Sequence, residues 1–175
     1  MVIYILVSLV LYLVQFLNGF IIYKICQQFT DKKNLALLFA ASYLLVCFLL
    51  EGRYYLLETY INFFGLISIY VTLLNRKSLY YLSGIFAFMS FWSKQYGIGF
   101  LFLDFVLVIA DRNNNDKARD VLRILCGFII SFIAGCFLLL SDEVGVSDLF
   151  KLSGSGYGKE GFLALLKGVV ILLSA

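Results

Sequence analysis

The chain has 175 residues, of which 62% are apolar and only 14% charged, and its mean hydropathy is +0.95. A soluble domain is about half apolar and a quarter charged, so this chain cannot cover itself with water-compatible surface; lipid is the solvent in which an apolar exterior costs nothing. The net charge of +3 is too small to mark a nucleic-acid partner, and a chain with no histidine has no His-based metal site and no His general base.

The first apolar run, residues 2–25, is broken only by Gln15 and Asn18. It is too long for a signal-peptide core, has no basic residues before it and is followed by no small-residue cleavage site, so it predicts a transmembrane helix. A polar break containing Asp31, Lys32 and Lys33 separates it from a second run, 35–50. Glu51-Gly52-Arg53 form a short polar knot, and the third run, 56–74, carries Glu58 and Asn62 near its start.

The fourth and fifth runs, 79–92 and 98–110, flank Ser93-Lys94-Gln95-Tyr96-Gly97. Each holds about 14 residues, or about 20 Å of helix, against roughly 20 residues needed to cross the hydrocarbon core. Either both helices extend into this segment or the segment lies below the membrane surface. Both readings place Lys94 near or within the bilayer, where a cation is costly unless it faces a wet cavity or a partner. After the polar stretch 111–120 comes a sixth run, 121–140. A longer segment, 141–161, holds the Gly/Ser stretch SGSGYG, and a last run, 162–175, reads as a partial seventh helix. The expected fold is all-α: one polytopic transmembrane helical bundle with six spans and part of a seventh.

Loop charge orients it. If the loops alternate sides, one side holds nine basic residues (Lys24, Lys32, Lys33, Arg76, Lys77, Arg112, Lys117, Arg119 and Arg123) and the other four (Arg53, Lys94, Lys151 and Lys159). Lys and Arg concentrate on the cytoplasmic side, which places the N-terminus outside in a multi-pass protein of the cell membrane. Starting outside without a signal peptide suggests an absent upstream helix. Many Tyr near the run ends, among them Tyr4, Tyr23, Tyr54, Tyr80 and Tyr96, fit an interfacial belt. Cys26, Cys47, Cys126 and Cys136 lie in apolar stretches with no CxxC pair, and read as small buried hydrophobes. The abundance of Phe, Tyr, Ile, Lys and Asn fits an AT-rich bacterial source.

On this topology the costly polar groups gather at the outer side. Arg53 stands five residues before Glu58, and the two can neutralise one another, either as an ion pair orienting the helix or as the polar wall of an external cavity. Lys94 either snorkels to the surface or captures an anion such as a lipid-linked phosphate, for which Lys is a point charge. Gln95 would then add a hydrogen bond, while Gly97 and Gly99 would let the backbone pass closely. Asp104, about 15 Å further along the helix, is too far to pair with Lys94. SGSGYG lacks the spacing of a phosphate loop and reads as a flexible external loop. No acidic cluster marks a metal site.

This layout resembles the membrane-embedded glycosyltransferases of the dolichyl-phosphate-mannose–protein mannosyltransferase and aminoarabinose-transferase type, the GT-C fold. The residues that carry the likeness are Arg53 and Glu58 in EGRYYLLETYINFF and the stretch YYLSGIFAFMSFWSKQYGIGFLFL around Lys94. It covers about residues 15 to 110. The resemblance implies a polyprenyl-phosphate sugar entering from the bilayer, an acid on an external loop acting as general base on the acceptor, and basic residues stabilising the departing phosphate. By the resemblance Lys94 would be a phosphate contact, with Arg53 beside it; the candidate substrate-binding residues are Lys94, Arg53, Glu58 and Gln95. Use of a divalent metal varies in the family. The family's first helix and its large first external loop, which bears the catalytic acid, have no counterpart. The chain thus reads as a truncated piece, expected to be inactive alone. The competing class is a non-enzymatic membrane protein, such as a transporter piece or a polysaccharide-export subunit, although no clear internal repeat supports a transporter.

Overall fold

The structure, a computed structural model, describes residues 2–50, 56–111 and 114–141. Among these residues the secondary structure is helical throughout: α1 (Val2–Phe29), α2 (Lys33–Leu50), α3 (Leu56–Leu73), α4 (Leu79–Ser93), α5 (Ile98–Ala110) and α6 (Lys117–Ser141), with a single 3₁₀ turn, Gln95–Gly97, between α4 and α5. The chain divides into two units, Met1–Phe132 and Ile133–Ala175. The described part of the second unit is the last turns of α6; all the other helices, and the start of α6, belong to the first. Arg53, SGSGYG and the run 162–175 lie outside the described residues.

The all-helical expectation holds among the described residues; six spans are not supported. Among the described residues two stretches are long and apolar enough to cross a bilayer, Val7–Phe29 and Lys117–Phe137. The 15 residues of α4 and the 13 of α5 measure about 22 and 20 Å, against a hydrocarbon core of about 30 Å. Nor do these two helices lengthen through the segment between them, of which α4 takes in Ser93 alone. Lys94 is extended, with φ −164° and ψ 145°, and this ends α4 at Ser93.

The α3–α4 pair is the centre of the unit, and α3 also packs on α1 and α5. The two helices run antiparallel through a short turn, ended by Asn75 in the left-handed region at φ 51°, a conformation that Asn tolerates better than most residues. Register is read from their hydrogen bonds: Ser90 Oγ donates to the Ile61 carbonyl at 2.9 Å, and Ser68 Oγ lies 3.3 Å from Ser83 Oγ. α6 crosses α4 with backbones almost touching. A Cβ on Gly84 would collide with the Ile124 carbonyl, and one on Gly127 with the Tyr81 carbonyl. Small residues at a crossing permit this approach where apolar burial alone gives helices little reason to associate. Beside the crossing, Phe88 packs edge-on against Phe128 and Phe132, and Tyr80, Ala87, Leu101, Val108 and Ile124 form the buried apolar core.

Polar side chains share the interior with apolar ones, and many large apolar side chains stand outward. Gln15, Asn18, Thr59, Ser68, Thr72, Ser83, Ser90, Asp104 and Asp120 are buried, while Leu9, Leu37 and Ile130 are 62%, 61% and 63% exposed. The long apolar stretches of α1 and α6 each have only 22% of their residues buried. The expected burial of the cysteines holds for Cys47 alone: Cys126 is exposed, and Cys26 and Cys136 are half-buried.

Candidate functional site

Among the described residues, polar groups of the α3–α4–α5 assembly gather at three levels. At the α4–α5 tip, Lys94 pairs with Glu58, and both side chains are one quarter exposed. The ammonium also lies 5.1 Å from the centroid of the Tyr96 ring, a cation–π contact. Helix α3 supplies Glu58 in its first turn, and the break at Lys94 turns that residue toward it. Gly97 sits where a Cβ would strike the Ser90 carbonyl, so its missing side chain closes the hairpin, whereas Gly99 stands in open space. Gln95 and Tyr96 are exposed beside the pair.

Of the residues proposed from the sequence, Lys94 and Glu58 are thus in contact, Gln95 is adjacent, and Arg53 is outside the described residues. The sequence set Glu58 beside Arg53 and left Lys94 apart. The antiparallel register supplies the missing link: Ile61 stands opposite Ser90, so three residues outward Glu58 stands opposite Ser93, next to Lys94.

One to two helical turns from the opposite end lies a buried cluster that sequence spacing alone does not assemble. Asp104 of α5 is fully buried, as are Ser68 and Ser83, and Thr72 is nearly so. Ser68 Oγ donates to Asp104 Oδ2. Ser83 Oγ lies 3.0 Å from Oδ2, Thr72 Oγ1 lies 3.0 Å from Oδ1, and the Thr72 and Ser83 hydroxyls are 2.7 Å apart. Lys94 takes no part, in keeping with the distance argued from the sequence. Ser68 and Thr72 recur at helical spacing on α3, a signal that points to a polar face but not to what meets it.

At the far end, the α3–α4 and α5–α6 turns are tied together rather than simply solvated. Asn75 donates to Asp111 at 2.8 Å and accepts from the Tyr80 hydroxyl at 2.7 Å. Lys77 pairs with Asp116 at 2.8 Å, Asn114 donates to Asp120 at 2.9 Å, and Arg123 pairs with the buried Asp120. The Lys77 ammonium holds the Asp116 carboxyl below its ordinary value, first by its hydrogen bond and then by its charge. A surface hollow at the α1–α2 turn is lined by Lys32, Lys33, Asn34, Leu35 and Leu38. No protein-family model, curated protein or solved structure matches this chain.

Proposed function

We propose that the chain is a multi-pass membrane protein with its N-terminus outside, and the membrane part of a glycosyltransferase that takes its sugar from a polyprenyl-phosphate donor at the extracytoplasmic face. The membrane reading is supported by the apolar exterior of the long helices. A core helix of a soluble protein is mostly covered, but α1 and α6 present Leu, Ile and Phe outward along their lengths. In water such a surface is a site of association; in lipid it is neutral.

The observation that carries the donor-site reading is the Glu58–Lys94 pair at one end of an apolar bundle. An ammonium has three N–H donors, and Glu58 engages one of them. The remaining donors, with the exposed Gln95 amide, can hold two oxygens of a phosphate as negative charge builds on it during sugar departure. Glu58 then keeps Lys94 aimed along α3. The general base that activates the acceptor is assigned to an acid on an external loop, as in the family the chain resembles.

The test is sugar transfer from a polyprenyl-phosphate sugar in membranes holding the complete protein. Lys94→Ala is expected to lower the rate by about 100-fold, the scale of losing one preorganised donor, with Lys94→Arg retaining part of it. Unchanged transfer removes Lys94 from the site. A Gln95→Cys variant without the native cysteines should react with an impermeant thiol reagent from outside the cell; reaction only from the cytoplasmic side inverts the orientation and removes the donor pocket. A second reading, a non-enzymatic protein such as a transporter piece, is favoured by the buried Asp104, because ionisable groups inside membrane bundles mark ion or proton paths.

A further inference from the structure

We propose that Asp104, Ser68, Thr72 and Ser83 form a proton-binding site, in which the carboxyl is held as the neutral acid within a closed ring of hydrogen bonds. The inference is independent of the donor-site reading and rests on counting protons. Five oxygen–oxygen contacts join the four side chains: Ser68–Asp104, Ser83–Asp104, Thr72–Asp104, Thr72–Ser83 and Ser68–Ser83. With an ionised carboxylate the three hydroxyls supply three protons. All three are then drawn to Asp104, and the Thr72 and Ser83 oxygens face each other at 2.7 Å with no hydrogen between them.

A fourth proton on Oδ1 resolves this. Oδ1–H donates to Thr72, Thr72 donates to Ser83, Ser83 donates to Oδ2 and closes the ring, and Ser68 donates to Oδ2 from outside it. Every donor then has an acceptor, and the longest contact, Ser68–Ser83 at 3.3 Å, is the one left without a proton.

The surroundings favour the same state. An uncompensated charge in an apolar interior is costly, and among the described residues no Lys or Arg pairs with Asp104. The charged groups on the packed elements are otherwise engaged. On α3, Glu58 pairs with Lys94 of the tip; on α4, Tyr80 donates to Asn75; on α6, Asp120 pairs with Arg123. Apolar Leu101 and Val108 flank Asp104 one turn away on α5 and are themselves buried. The ring also has a second arrangement. On loss of the proton the three hydroxyls turn to the carboxylate and the Thr72–Ser83 contact lengthens.

The experiment is difference infrared spectroscopy on the full chain in lipid nanodiscs at neutral pH, with thermal unfolding alongside. Wild type minus Asp104→Asn is expected to show the carbonyl band of a protonated carboxylic acid. Asp104→Asn, whose amide donates as the acid does, should unfold within a few degrees of the wild type. Ser83→Ala, which keeps the acid and removes one of its hydrogen bonds, should retain the band at a shifted frequency. A difference spectrum with only carboxylate bands overturns the proposal. So does an unfolding temperature that rises with NaCl in the wild type and not in Asp104→Asn, which assigns the cage to a metal cation instead. Should Asp104→Asn not fold, an acid band that is missing or unmoved in Ser83→Ala decides against the site in the same way.

Discussion

Asn18 is fully buried on α1, and its amide nitrogen donates to the Thr59 carbonyl of α3 at 3.1 Å, while its Oδ1 finds no partner. The two facts oppose each other. Across helices in an apolar setting such a bond contributes about 0.6 kcal/mol, and an unpaired buried acceptor costs a similar amount or more. Asn18→Ala is therefore expected to change stability by less than about 1 kcal/mol, read from thermal unfolding in detergent; a much larger loss would show that Oδ1 is satisfied in the membrane. Lys77 and Asp116 make a different kind of pair, at the water-exposed end. Because Lys77 depresses the Asp116 carboxyl, the link between the two turns is present above the ordinary carboxylate range and is lost as pH falls through the lowered value. Lys77→Ala should abolish that acid dependence without changing stability at neutral pH beyond the small effect of an exposed pair, as pH-dependent unfolding of the two proteins will show.

At the scale of elements the α4–α6 crossing is the most demanding contact. Ala is a better helix former than Gly by about 1 kcal/mol, so a Gly→Ala change on an open helix face stabilises. At Gly84 the added methyl meets backbone atoms of Ile124 and Phe128, which cannot swing aside as a side chain does. Overpacking costs about 1–3 kcal/mol and should win, lowering the unfolding temperature of Gly84→Ala. Gly99 has nothing within 4 Å of the same added carbon, and Gly99→Ala should be neutral or gain about 0.5 kcal/mol. Equal effects at the two positions would mean that α6 does not seat on α4 through Gly84. Hydropathy located these helices well: α5 spans 98–110 as read from its run, and α4 ends one residue late, at Ser93. It erred where helix and apolar run differ. α1 continues through Gln27 to Phe29 because nothing there breaks a helix, and Gln27 Nε2 bonds Tyr23 one turn back at 2.9 Å. α6 starts at Lys117, in polar sequence after the Asx turn in which Asn114 Oδ1 accepts from the Asp116 amide. The site was half legible. Lys94 and Glu58 are conspicuous as charges in apolar surroundings, but their pairing needs the α3–α4 register. Ser68, Thr72 and Ser83 are unremarkable one by one and become a site only when α5 sets Asp104 among them.

For the whole molecule, composition sets the question and the distribution of side chains answers it in physical terms. A chain in water gains about 25 cal/mol per Å² by hiding apolar surface, and this one leaves Leu, Phe and Ile outward on α1, α2, α5 and α6 while enclosing Ser, Thr, Asn and Asp. Such an exterior costs nothing against hydrocarbon, where unpaired polar groups are the expensive ones. Cys126 turns this into a measurement. It lies on α6, ten residues into the helix, with its thiol on the exposed face between Leu122 and Ile130, which are 55% and 63% exposed. In a water-soluble protein an exposed thiol reacts readily with a polar maleimide. If that face meets lipid, Cys126 should stay unmodified in intact and in sheared membranes, where both aqueous sides are reachable, and react once detergent and denaturant expose the helix. Cys47, buried against its neighbours, should need the same denaturation, so the comparison is made in a variant retaining Cys126 alone. Rapid labelling of Cys126 in sheared membranes would place α6 in water and remove the bilayer from the account of this fold.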